Sequence, residues 1–185
     1  MKKIGMLIGL ILICQIYRAG AIQINDGNLD QSQTSLQCVV YNTYLAQSFK
    51  PSFNQLTKVE LALYTSTKID PINITLSIRS RLYGKDITST TISSDVIPYN
   101  STHDCHWGWI EFDFDDVELI SRKRYWLVLS PSEGNHISHG ESVMWFIGWS
   151  NPYKNGGSYV TKQFLWLPTW LILTNIGDFS FKTYG

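Results

Sequence analysis

Cysteine is scarce in this chain: three in 185 residues, one of them in an apolar leader. That scarcity excludes a disulfide-dense miniature scaffold and leaves too few thiolates for a cysteine zinc site. No window carries apolar residues at helical spacing beyond the leader, which excludes a helical bundle. Charge is sparse and balanced, 15 Lys and Arg against 15 Asp and Glu. Nothing in it forms the basic patch that nucleic acid requires. Ser-His-Asp order, a phosphate-cradling glycine loop and a dinucleotide fingerprint are all missing, so the motifs of those chemistries are not found.

The first residues carry the strongest positive signal. Lys2 and Lys3 precede an apolar run from Ile4 to Ile16, and Ala19-Gly20-Ala21 follows. A basic start, a short apolar centre and a small-x-small end are the parts of a secretory signal peptide. The run falls short of the about 20 residues that span a bilayer, and no later run is long enough. Leu12 and Ile13 stand before Cys14 where a lipobox needs small residues. The reading is a signal peptide at 1–21 and one exported domain at 22–185, secreted or held at the cell surface, with no membrane insertion after cleavage. Lys2, Lys3 and Arg18 would leave with the leader, so 12 basic residues face 15 acidic ones, a net of −3. Two cysteines then remain, Cys38 and Cys105, 67 positions apart. In an exported chain the simplest pairing is a disulfide between them. In the chain-entropy model it would stabilise the fold by roughly 4 kcal/mol.

Past the leader, period-two alternation recurs. Val59, Leu61 and Leu63 share one face, and Lys58, Glu60 and Tyr64 the other. Ile74, Leu76 and Ile78 alternate with Thr75, Ser77 and Arg79. Ile110, Phe112 and Phe114 repeat the pattern, as do Tyr125, Leu127 and Leu129. Further strands read at 44–50, 88–97, 143–149, 159–165, 170–174 and 179–184, with Gly, Pro, Asn, Asp and Ser in the turns between. The polar stretch 22–37 reads as a leader segment or an edge strand. About ten one-sided strands imply an all-β fold of two packed antiparallel sheets, a β-sandwich of jelly-roll type. An immunoglobulin-like sandwich fits less well, since no Trp lies between the two cysteines.

Four strings stand in order: Asp30-Gln31-Ser32-Gln33, Ala46-Gln47-Ser48-Phe49-Lys50-Pro51, Ile110-Glu111-Phe112-Asp113-Phe114 and Asp178-Phe179-Ser180-Phe181-Lys182-Thr183-Tyr184-Gly185. Together they resemble an uncharacterised β-sandwich domain of secreted and surface proteins, often archaeal. Its general shape is similar to that of non-catalytic carbohydrate-binding modules. The resemblance implies fold and compartment. It implies sugar binding by analogy of fold, and it implies no catalytic residue.

Candidate site residues come from the side chains. All seven Trp follow Cys105. If Ile110, Phe112 and Phe114 face the core, Trp107, Trp109, Glu111 and Asp113 point outward. Exposed indoles beside carboxylates suit a glycan, because the ring packs on C–H faces and the acids accept hydroxyl protons. Trp149 and Tyr153 flank a loop rich in Asn and Gly, a second place for a ligand. Trp126, Trp145 and Trp166 read as core. Glu111 and Asp113 stand about 6.8 Å apart along a strand, near the carboxyl spacing of inverting glycosidases. Any two acids at i and i+2 share that spacing, so an enzyme is not expected. Asp115, Asp116 and Glu118, read as a turn, could hold a structural Ca²⁺ or simply be solvated. His103, His106, His136 and His139 form two matching i, i+3 pairs, read as loop residues rather than a metal site. Asn73-Ile74-Thr75 and Asn100-Ser101-Thr102 are acceptor patterns for N-glycosylation in an exported chain. The expected function is non-catalytic binding of a glycan or a surface protein, with no cofactor. A structural or adhesive subunit is the other reading, and a polysaccharide-active enzyme stands behind both.

Overall fold

The computed structural model describes residues 27–41, 44–65, 71–99, 107–131, 143–164, 167–173 and 176–185. The leader, Asn100, Cys105, Trp166 and the four histidines lie outside them. The described residues form thirteen strands and one 3-10 turn, with no α-helix. No helix among them is long and apolar enough to cross a membrane.

Seven strands make one sheet: β1 (Leu29–Gln33), β2 (Cys38–Tyr41), β4 (Gln55–Thr65), β7 (Gly108–Glu118), β9 (Val143–Trp149), β12 (Gly177–Phe179) and β13 (Phe181–Tyr184). Six make the other, in the order β11 (Leu167–Ile172), β10 (Gly157–Phe164), β3 (Leu45–Phe49), β8 (Tyr125–Pro131), β5 (Asn73–Arg79) and β6 (Asp86–Ser93). Neighbouring strands run antiparallel in both. The all-β, two-sheet expectation therefore holds. The polar stretch before Gln37 supplies an edge strand, β1.

Alternation decides which faces meet. Val59, Leu61, Leu63, Ile110, Phe112, Trp145 and Phe181 come from the larger sheet. Leu45, Phe49, Ile74, Leu76, Ile78, Tyr125, Leu127 and Leu129 come from the smaller. All are buried in one continuous core. Each large side chain so buried contributes about 1.5–3 kcal/mol. Trp145 is core as read, whereas Trp126 lies on the opposite side of β8 from Tyr125 and Leu127 and is only half-buried.

β4 organises the larger sheet. β7 pairs along one of its edges. On its other edge Lys58–Leu61 pair with β13, and Leu63–Thr65 pair with β9. The C-terminal strand enters this fork at Ser180. The Ser180 N–H donates to the Phe146 carbonyl at 2.9 Å, and the Ala62 N–H donates to the Ser180 carbonyl at 3.3 Å.

Two local readings change. The segment read as one strand from Thr88 to Ile97 ends at Ser93, where the Ser93 hydroxyl accepts from the Asp95 N–H and opens the 3-10 turn Ser94–Val96. The acidic run read as a turn lies inside β7. Between the Leu56–Val117 and Lys58–Asp113 pairs β4 advances two residues and β7 four, so β7 bulges and Asp115 and Asp116 ride on the bulge.

Candidate functional site

The outward side chains of β4, β7, β9 and β13 form one continuous surface. Cross-strand register sets its rows: Ala62 is opposite Trp109, Glu60 is opposite both Glu111 and Lys182, and Lys58 is opposite both Asp113 and Tyr184. Tyr64 is opposite Met144. Ala62 is fully buried, since it is the small residue beneath larger neighbours.

The aromatic end of this face is a chain of edge contacts. Trp107 lies 6.1 Å from Trp109 with rings at 81°, and 5.7 Å from Phe146 at 60°. Phe146 in turn meets Tyr64 at 5.5 Å. Phe146 is buried although it faces away from the core, so the outer face has a small apolar cluster of its own. Trp107 is 37% exposed and Trp109 half-buried. The expectation that Trp107, Trp109, Glu111 and Asp113 share an outward face holds. The register of β7 runs unbroken from Gly108 to Asp113.

The charged end is an interlocked ladder. Glu60 and Glu111 are directly opposite, an arrangement that repels. Two lysines relieve it: Lys182 Nζ is 2.7 Å from Glu60 Oε2, and Lys58 Nζ is 3.1 Å from Glu111 Oε2. Each ammonium also sits on a ring, Lys182 at 4.1 Å from the centre of Trp109 and Lys58 at 4.9 Å from that of Tyr184. The Tyr184 hydroxyl donates to Glu60 Oε2 at 3.0 Å. Burial, then that bond to a carboxylate, pushes the Tyr184 phenol up to about 12. Lys58, Glu60, Tyr64, Lys182 and Tyr184 were not singled out as site residues. Alternation places Lys58, Glu60 and Tyr64 outward, but pairing β13 with β4 needs the fold.

Trp149 and Tyr153 do not join this surface. Trp149 is 48% exposed, but it falls on the other alternation of β9 from Phe146 and stands at the rim. The turn after it holds Ser150 at φ 68° and Asn151 at φ 53°, two consecutive left-handed residues. Tyr153 is a core ring, which corrects its reading as a ligand residue. It is 6% exposed and packs edge-on to Phe181 at 5.0 Å. Its hydroxyl donates to Gln31 Oε1 at 2.9 Å and accepts from the Lys50 N–H at 3.3 Å. Burial pushes this phenol up to about 12.

Tyr153 belongs to a buried polar knot that joins three of the strings noted in the sequence. Gln47 Oε1 accepts from the Phe179 N–H at 2.8 Å, and Gln47 Nε2 donates to Asp178 Oδ1 at 3.0 Å. Asp178 Oδ2 accepts from the Tyr153 N–H at 3.1 Å. Gln33 Nε2 donates to the Asp178 carbonyl at 2.7 Å. Burial raises the Asp178 carboxyl above its ordinary value. These residues hold strands together; they do not line a surface.

Among the described residues no three His, Cys, Asp or Glu side chains are placed to hold a metal ion. Asp115, Asp116 and Glu118 are thus not brought together for Ca²⁺, and Asp116 accepts instead from Gln55 Nε2 at 2.7 Å. A concavity lined by Asn54, Gln55, Glu118, Leu119 and Ile120 opens at the end of β7 away from Trp107. Asn73 is exposed at the start of β5. Cys38 opens β2 against Ile147, and its proposed partner Cys105 lies outside the described residues. Comparison of the chain with family models, curated proteins and solved structures finds no match.

Proposed function

We propose that this protein is an exported, non-catalytic recognition module that holds a glycan on the outer face of its seven-stranded sheet. The observation that carries the reading is the partly exposed Trp107, which packs on Trp109 and Phe146 and heads the outward row Trp107, Trp109, Glu111 and Asp113. An indole there packs on sugar C–H groups, and the two acids accept hydroxyl protons. Glu111 is already paired with Lys58 and stands beside Asp113 on the same strand, so the pair does not flank a scissile bond from two sides. That geometry supports recognition over acid–base chemistry. The basic, apolar and small-residue pattern of 1–21 supports export.

The same rings also suit a second reading, an adhesive subunit that presents them to another protein. A glycan array with the purified protein, repeated with Trp107→Ala, separates them. Array binding that Trp107→Ala abolishes supports the glycan reading. No binding to any glycan, with retention of a surface protein that the substitution releases, overturns it in favour of the adhesive one.

A further inference from the structure

The outer face ends in a hollow. Leu56 is core and Val117 packs against the core, so the next pair, Gln55 and Glu118, leaves the sheet on the outer side. That pair stands past the bulge of β7, at the far end of the ladder from Trp107. There a concavity of about 610 Å³ is lined by Asn54, Gln55, Glu118, Leu119 and Ile120. Small-molecule sites run from about 300 to 1,000 Å³. Its walls are stitched. The Leu119 N–H donates to the Asn54 carbonyl at 2.8 Å, and the Arg122 N–H to the Pro51 carbonyl at 2.6 Å. The Ser121 N–H donates to Asn54 Oδ1 at 3.3 Å, and the Ser121 hydroxyl to the Ser52 carbonyl at 2.9 Å. Gln55 Nε2 ties β4 to the bulge through Asp116. A site held this way does not need its ligand to order it.

The same bonds decide which polar atoms are left for a ligand. Asn54 turns its oxygen to Ser121 and keeps its amide hydrogens as donors. Gln55 turns its nitrogen to Asp116 and keeps its oxygen as an acceptor. Glu118 is exposed and has no hydrogen bond or ion pair among the described residues. Ile120, 63% exposed, adds an aliphatic wall. A cation would answer Glu118 and Gln55 but face the Asn54 amide hydrogens. An anion would face Glu118. A hydroxyl both donates and accepts, so a neutral polyhydroxylated ring answers all three groups, with its C–H edge on Ile120. We propose that the concavity is a subsite for one neutral sugar of a glycan that lies along β4 and β7. This rests on the glycan reading above. Gln55 is seven residues along β4 from Ala62, the residue opposite Trp109, or about 23 Å at strand rise. An oligosaccharide, not a single ring, reaches both ends.

Proton–nitrogen NMR of the isotope-labelled protein tests this site by site. The probes are glucose, galactose, mannose and N-acetylglucosamine, with glucuronate, arginine and leucine beside them. At least one neutral sugar is expected to shift the side-chain amide signals of Asn54 and Gln55 and to saturate at millimolar concentration. Glucuronate, arginine and leucine should leave them in place. Asn54→Asp keeps the acceptor for Ser121 and removes the amide hydrogens; Glu118→Gln removes the carboxylate. Each should weaken the sugar about tenfold while thermal melts stay cooperative. Unchanged affinity in both variants overturns the subsite. Shifts from glucuronate, arginine or leucine instead of a sugar overturn the choice of a neutral ring. A sugar that shifts Trp107 and Trp109 but neither amide overturns the subsite and leaves the glycan reading standing. No shift of either region by any sugar overturns the subsite, and the glycan array then decides the glycan reading by itself.

Discussion

The indole Nε1 of Trp145 donates a 2.8 Å hydrogen bond to the carbonyl oxygen of Ser180. That oxygen also accepts from the Ala62 N–H, and the Ser180 hydroxyl donates to the Ser35 carbonyl at 2.6 Å. Ser180 is thus the point where the C-terminal strand, β4 and β9 are tied together. Trp145 completes the junction by stacking on Phe179 at 4.5 Å, with rings 18° from parallel.

Trp145→Ala is expected to cost about 3–5 kcal/mol, because it removes a fully buried indole and leaves a cavity. Trp145→Phe keeps much of the volume and loses the bond to Ser180, at a cost of about 0.5–1.5 kcal/mol, since the Ser180 carbonyl keeps the Ala62 N–H. Chemical denaturation should rank the three proteins in that order. Equal midpoints for Trp145→Phe and Trp145→Ala, which both lack the hydrogen bond, would show that the ring volume counts for nothing at this junction.

Trp107→Ala should behave differently. The ring is partly in water and meets Trp109 and Phe146 edge-on, so its loss should cost about 1–2 kcal/mol. A melting temperature that drops as far as that of Trp145→Ala would make Trp107 structural and remove the proposed surface.

Asp178 links stability to pH. Its carboxyl titrates above its ordinary value of 3.8 in the folded state. The folded form therefore holds the proton more tightly than the unfolded one. The stability contributed by this group is fully present below 3.8 and lost as pH rises through the raised folded value. Asp178→Asn should flatten stability between pH 4 and neutrality by about the part this group supplies. It should also cost about 1 kcal/mol overall, since an amide offers one acceptor where Gln47 and the Tyr153 N–H use two. Denaturation curves across pH check both parts, and an unchanged slope in Asp178→Asn would assign the pH dependence elsewhere.

Gly156 lies where a Cβ would meet the Ser48 carbonyl oxygen at 1.8 Å. Because the obstacle is backbone of β3, it cannot swing aside. Gly156→Ala should destabilise by at least about 1–3 kcal/mol. Gly108 is the control, with Pro98 Cγ at 3.3 Å as its nearest atom. If thermal melts of Gly156→Ala and Gly108→Ala coincide, the close approach at Ser48 is not what fixes the loop after Trp149.

A Cys38–Cys105 bridge is expected in the exported protein. Intact mass after alkylation, with and without reductant, reads it directly. Two alkylated thiols without reductant would rule it out. N-terminal sequencing of the same sample should begin near Ile22.

The sequence by itself determined the class of fold and most of the core. Period-two alternation has a local cause: successive side chains leave a strand on opposite sides, so Val59, Leu61 and Leu63, or Ile110, Phe112 and Phe114, declare their inner face without reference to any partner. The outward direction of Trp107, Trp109, Glu111 and Asp113 follows from the same rule and was legible too. Tyr153 was not. A tyrosine in a loop looks exposed until Gln31, from a strand 122 positions earlier, is found bonded to its hydroxyl. Nor could the acids of β7 be placed, because a bulge is a mismatch between two strands and exists only once β4 is paired with β7. The site itself lies in that second group. Alternation says that Lys182 and Glu60 each point outward from their strands. Only the register of β13 on β4 sets them 2.7 Å apart, with the ammonium over Trp109. That register depends on contacts between residues more than a hundred positions apart, whose energy no local pattern encodes.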